Sequence, residues 1–188
     1  MKKTIFFLIV VLLLAGCASK DNNREKGAEE KVDKTVEQQV GEETLSLQLL
    51  KADEEAGVTI ENSEVYKELN RMITENADMG LANDFSINII DIVDSGTENA
   101  SLLFLAINRL DEPMKNIKFD YTLGHDNGAF VWEGVEVDLS EQETGIIQPN
   151  HAVPFSLSIT PEQEALIDTL EQDNQVVKMD NFKFDSVN

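Results

Sequence analysis

The sequence predicts a mainly β fold, an immunoglobulin-like antiparallel β-sandwich with two short helices, preceded by a disordered tether. Three observations carry this prediction. From residue 83 onward, runs rich in β-branched and aromatic residues recur at short spacing, and turn clusters such as "DSGTEN", "DEPMKN", "HDNG" and "SEQETG" separate them. Two of these runs alternate with a period of two: Ile117, Phe119, Tyr121 and Leu123, then Val153, Phe155, Leu157 and Ile159. Residues 18–43, by contrast, are dominated by charged and polar side chains and hold no aromatic residue.

The chain opens with Lys2 and Lys3, an unbroken apolar run over residues 5–14, and then the small residues Ala15 and Gly16. That layout is a secretory signal peptide over residues 1–16. The run is too short for a transmembrane helix, which needs about 20 apolar residues. The only cysteine of the 188 residues, Cys17, follows directly. Leu14, Ala15, Gly16 and Cys17 resemble the lipobox of bacterial lipoproteins. The resemblance implies a diacylglyceryl group on the Cys17 sulfur and cleavage after Gly16, leaving Cys17 as the mature N-terminus. Two acyl chains give stable membrane anchoring where one is marginal. The expected location is therefore the extracytoplasmic face of the cell membrane, with the membrane as partner through Cys17. Ala18 after the cysteine is not an aspartate retention signal, so sorting in a two-membrane bacterium stays open.

With Cys17 lipidated, no thiol remains for a disulfide, a thiolate metal site or a cysteine nucleophile. The formal net charge is −21, and losing Lys2 and Lys3 with the leader takes it from −21 to −23. Such a chain is repelled by phosphate backbones, which excludes nucleic acid as a partner. In residues 17–43, Val32, Val36 and Val40 recur every four, the spacing of a weak amphipathic helix. The segment buries too little apolar surface to offset ordering entropy and reads as a disordered acidic linker. As a flexible chain it reaches roughly 25–30 Å.

Residues 44–82 read as a strand and a helix packed on the sandwich. Leu45, Leu47 and Leu49 share one face of "TLSLQLL". A helix follows with Ser63 as N-cap, Glu64 in its first turn, Val65, Leu69, Met72 and Ile73 as its apolar face, and Gly80 beyond its end. Residues 83–188 form the sandwich. Lys118, Asp120 and Thr122 are expected to face out between the apolar residues of their strand. Asp126, Asn127 and Gly128 make a tight hairpin turn. The alternation changes phase between Trp132 and Val135, which calls for a bulge at Gly134. Pro154 fits an edge strand or a strand start. Thr160, Pro161 and Gln163 make a capping box with proline at the first helical position, and Leu166, Ile167 and Leu170 face inward. "VVKMDNFKFDSV" closes the chain as a strand.

The stretches "FSINIIDI", "AINRLDEPMKNIKFDYTLGHDNG" and "VDLSEQETGIIQPNHAVPFSLSI" resemble the small sandwich domains of Gram-positive envelope proteins, the SLAP and FxLYD-type groups. The FxLYD signature itself reads "FDYTL" here. The resemblance carries no catalytic residue and implies an envelope binding or assembly role.

Candidate chemistry is sparse. His125 and His151, the only histidines, sit in expected turns, and Asp126 beside one of them does not complete a ligand set. The acidic clusters at Asp53, Glu54 and Glu55 and at Asp111 and Glu112 lack the loop spacing of a calcium site. No serine-hydrolase, zincin or phosphate-cradling motif occurs. Asn99 begins a glycosylation sequon read as chance. Trp132, the single tryptophan, reads as core. No metal, cofactor or catalytic residue is expected, and ligand-binding residues are left unassigned. The expectation is a non-catalytic interaction domain for an envelope protein or polymer. The alternative is a small envelope hydrolase, or a protease-inhibitor-like sandwich acting through an exposed loop at 141–145.

Overall fold

The computed structural model describes residues 44–187. The signal peptide, Leu14, Ala15, Gly16, Cys17 and the linker lie outside the described residues. The elements in order are β1 (Ser46–Leu47), α1 (Lys51–Glu55), α2 (Glu64–Glu75), β2 (Phe85–Val93), β3 (Ser101–Asn108), β4 (Met114–His125), β5 (Phe130–Leu139), β6 (His151–Ser158), α3 (Pro161–Ile167) and β7 (Gln175–Ser186). They form a sandwich of two sheets, one ordered β1-β6-β3-β2 and the other β5-β4-β7. All pairs are antiparallel except β1 with β6. The chain crosses between sheets after β3, β5 and β6, the Greek-key habit of immunoglobulin-like sandwiches.

The period-two pattern of β4 explains the main core. Ile117, Phe119, Tyr121 and Leu123 are fully buried and meet Phe85, Phe104 and Val153 from the facing sheet. Tyr121 contacts Phe104 edge-on at 5.5 Å, and Phe104 stacks on Phe155 at 4.8 Å. Trp132 is half-buried and packs against this core, 6.3 Å from Phe104. Each such side chain contributes about 1.5–3 kcal/mol by leaving water.

Gly134 is the bulge that the phase change demanded. It has φ +66°, and the β4–β5 register slips between the pairs Tyr121–Val135 and Leu123–Trp132. The Gly134 N–H donates to the Thr122 hydroxyl at 3.0 Å. This bond corrects the expectation for Thr122. It points away from the core as its phase requires, yet it is buried, because the bulge folds over it. The turn after β4 closes with His125 N–H to the Ala129 carbonyl at 2.7 Å and Gly128 N–H to the His125 carbonyl at 3.0 Å.

A second apolar layer lies on the outer face of the four-stranded sheet. Tyr66, Leu69 and Ile73 of α2 pack with Leu45, Leu47, Leu105, Ile107 and Ala152. Leu105 and Ile107 alternate along β3 with Leu102, Phe104 and Ala106, which face the main core. This strand is therefore buried on both faces and loses the polar–apolar alternation of a half-exposed strand. Ser63 caps α2, its hydroxyl accepting the Tyr66 N–H. Val65 was expected on the buried face and is instead 48% exposed; Tyr66 takes that role. The stripe 66, 69, 73 keeps helical spacing one residue further along.

The first strand is cut to two residues because the chain turns into α1, a helix absent from the sequence reading, so the helices number three rather than two. This truncation accounts for Pro154. Ala152 accepts the Gln48 N–H at 2.8 Å, so its polar groups face β1, and those of residue 154 face the same way. β1 has ended by then, and the missing proline N–H costs nothing. The α3 capping box is complete, with Gln163 N–H donating to the Thr160 hydroxyl and Thr160 N–H donating to the Gln163 side chain at 2.9 Å.

Candidate functional site

An open groove of about 670 Å³ lies between β1, α1 and the β5–β6 connection. Leu47, Leu49 and Ile146 supply its apolar wall, and Lys51, Glu54, Glu141 and His151 its charged groups. Gln48 ties two sides together. Its amide N–H donates to the Ile146 carbonyl at 2.9 Å, and its oxygen accepts the Gln148 N–H at 3.3 Å. The Ala52 N–H donates to the Glu143 carbonyl at 3.1 Å, which fixes α1 against the connection. Glu141 is paired with Lys115 at 3.1 Å.

His151 is the one histidine in the groove. Its Nδ1 lies 2.8 Å from the Pro149 carbonyl. A carbonyl only accepts, so in this contact Nδ1 is the donor. The Thr144 hydroxyl is buried and donates to the Ser140 carbonyl at 2.9 Å. Neither group is placed as a nucleophile with its base. The groove sets hydrogen-bonding groups beside an apolar wall.

His125 is the last residue of β4, at the far end of the β4–β5 hairpin, with Nδ1 2.7 Å from the Asp126 carboxylate and 3.1 Å from the Asn127 nitrogen. Among the described residues, no group of three His, Cys, Asp or Glu is placed to hold a metal ion. In the acidic clusters, Asp53 accepts the Tyr66 hydroxyl at 2.6 Å, and that tyrosine oxygen accepts the Leu50 N–H at 3.1 Å. Burial first, then this bond to Asp53, holds the Tyr66 hydroxyl well above the usual tyrosine range. Glu112 accepts the Ser186 hydroxyl at 2.9 Å. The Ser95 hydroxyl, with help from the Gly96 N–H, holds the Glu164 carboxyl below the usual carboxylate range and ties the β2–β3 turn to α3.

In the loop at 141–145, Gln142 and Glu143 are exposed, while Thr144 and Gly145 are buried and the Glu141 N–H donates to the Asn116 side chain at 3.0 Å. Among the described residues, no helix is long and apolar enough to cross a membrane. Comparison of the chain with protein-family models, with curated proteins and with solved structures found no match.

The groove has no signature in the sequence. Gln48 and Ile146 stand 98 positions apart, and only the parallel pairing of β1 with β6 brings them together.

Proposed function

We propose that the chain is a bacterial lipoprotein that displays a non-catalytic β-sandwich interaction domain on the extracytoplasmic face of the cell membrane. One observation carries the reading: the sole cysteine stands directly behind a charged and apolar leader, in the order Leu14, Ala15, Gly16, Cys17. The thiol is the side chain that takes a thioether-linked lipid, and a domain free of other cysteines does not need an oxidant to fold. The resemblance to SLAP and FxLYD-type domains supports a Gram-positive envelope setting. A net charge of −21 keeps the displayed domain soluble and away from anionic headgroups. Its partner is an envelope protein or polymer, met at a groove or a sheet edge rather than by a catalytic cleft.

The test has two arms. Fractionation compares the wild type with Cys17→Ser, and intact mass of the mature N-terminus reads the lipid. The wild type is expected in the membrane with a diacylglyceryl mass on Cys17. The variant is expected either released or still carrying its leader. A variant that is cleaved, acylated and membrane-bound overturns the anchor. Crosslinking on intact cells followed by pull-down tests the interaction role, and recovery of no partner at native abundance overturns it.

A further inference from the structure

Among the described residues, β7 is an edge strand with one side unpaired. It lies at the end of the order β5-β4-β7 and bonds only to β4 among the described strands. It is long for an edge, 12 residues, and Val177 on it is 48% exposed. Long flat edges invite pairing unless they are charged, twisted or covered. Two of its four charges face a like charge across their own ladder, although Lys118 is also paired with Asp138 and Asp120 accepts the Asn181 amide, and Asp185 lies opposite Lys115. Lys183 sits opposite Lys118 and Asp180 opposite Asp120 on β4. Like charges directly across a ladder are destabilising.

We propose that β7 is a self-association edge, on which two copies of this chain pair antiparallel about a two-fold axis passing between Asn181 and Phe182. In that register Lys178 lies opposite Asp185 of the second copy, and Asp180 lies opposite Lys183 of the second copy. The symmetry repeats both contacts, so all four charges of each strand meet an opposite charge. These four side chains share the outward face: Lys178, Asp180 and Lys183 are register partners of Thr122, Asp120 and Lys118, which face away from the core. On the core side, Met179 meets Phe184 of the second copy. The two three-stranded sheets become one of six.

The bulge on β7 fits this arrangement. Asn181 has φ +53°, and residues 181 and 182 together oppose Phe119, between the pairs Asp120–Asp180 and Lys118–Lys183. The kink therefore falls on the axis, where both copies present it at the same point. A strand without a matching bulge slips register halfway along β7. The charge balance also favours this edge. Two lysines and two aspartates make β7 neutral in a chain of net charge −21, so two copies repel least here.

The proposal deepens the interaction reading by naming one partner, and its failure leaves binding of another envelope component untouched. Sedimentation velocity on the full chain in detergent tests it, with two edge variants. Lys178→Glu with Lys183→Glu makes the edge wholly acidic; Asp180→Lys with Asp185→Lys makes it wholly basic. The wild type is expected as a dimer, and each variant alone is expected to dimerise at least about tenfold more weakly. An equimolar mixture of the two variants is expected to restore a dimer containing one of each. A monomeric wild type at every concentration reached shows that the bulge and lysines only protect the edge, and overturns the proposal. Variants that dimerise like the wild type, or a mixture that stays monomeric, overturn it as well.

Discussion

At the scale of single residues, two buried polar groups are treated in opposite ways. Asn108 ends β3 with no exposure, and every polar atom of its side chain is used. Its amide nitrogen donates to the Glu112 carbonyl at 2.9 Å and the Ile147 carbonyl at 3.2 Å, and its oxygen accepts the Leu110 N–H at 3.0 Å. It pins the β3–β4 connection to the β5–β6 connection. Asn108→Leu keeps the volume and strands those backbone groups, so a loss of about 2–4 kcal/mol is expected in urea unfolding. Tyr121 is the contrary case. Its hydroxyl is buried in the main core without a hydrogen-bond partner, and burial pushes it up to about 12. The unfolded chain ionises this group near its ordinary value of about 10. Between those values the unfolded state has lost a proton that the folded state keeps, so stability falls as pH rises. Tyr121→Phe is expected to unfold at a urea midpoint equal to or above the wild type at neutral pH. It is also expected to flatten the decline above about pH 10; the slope that remains belongs to Tyr66, shifted the same way. An unchanged slope in Tyr121→Phe contradicts this account.

At the scale of elements, β4 and β5 show how two glycines in one hairpin serve different ends. Gly134 is needed for its backbone: its φ is positive, and a Cβ there would point into open space. Gly124 is needed for its emptiness. A Cβ there would overlap the Phe130 ring and lie 2.6 Å from the Ala129 carbonyl oxygen. Gly134→Ala is expected to cost about 1–2 kcal/mol, the strain of a left-handed residue. Gly124→Ala is expected to cost more, about 2–4 kcal/mol, because backbone rather than a mobile side chain must move. Thermal unfolding of the pair ranks them, and the reverse order counts against the close packing of this hairpin. α2 owes its place to tertiary contact more than to helix propensity. Its ion pairs, Lys67 with Glu64 and Arg71 with Glu68 and Glu75, are solvent-exposed and screened.

At the scale of the whole molecule, residues 44–82 are part of the domain rather than a spacer ahead of it. Ile73 is 1% exposed and closes the second apolar layer over β3 and β6. Ile73→Ala is expected to lower stability by about 2–4 kcal/mol and to raise hydrogen exchange across α2 before it does so in β4. Uniform exchange across both elements indicates one cooperative unit and refutes a separable layer. Arg109 works at the same scale. From the residue after β3 it bonds the Ala77 and Met79 carbonyls and the Asn150 side chain, joining the α2–β2 connection to the start of β6.

Local chemistry was enough to place all seven strands, though not the short length of the first, together with the hairpin turn, the bulge at Gly134 and the α3 capping box. Each depends on residues within a few positions of one another: an alternation, an Asn-Gly pair, a phase change, a Thr-Pro-x-Gln run. The reading of the leader and Cys17 also rests on adjacent residues alone, and it lies outside the described residues. Tertiary structure decided what lies over each face. Thr122 is buried because a bulge covers it, and Val65 is exposed because the buried stripe of α2 runs through Tyr66, Leu69 and Ile73. The two-residue length of β1, the groove that Gln48 spans, and the like-charge pairs between β4 and β7 all join residues far apart in the chain. Strand order is a choice among non-local pairings, and no short window of sequence records it.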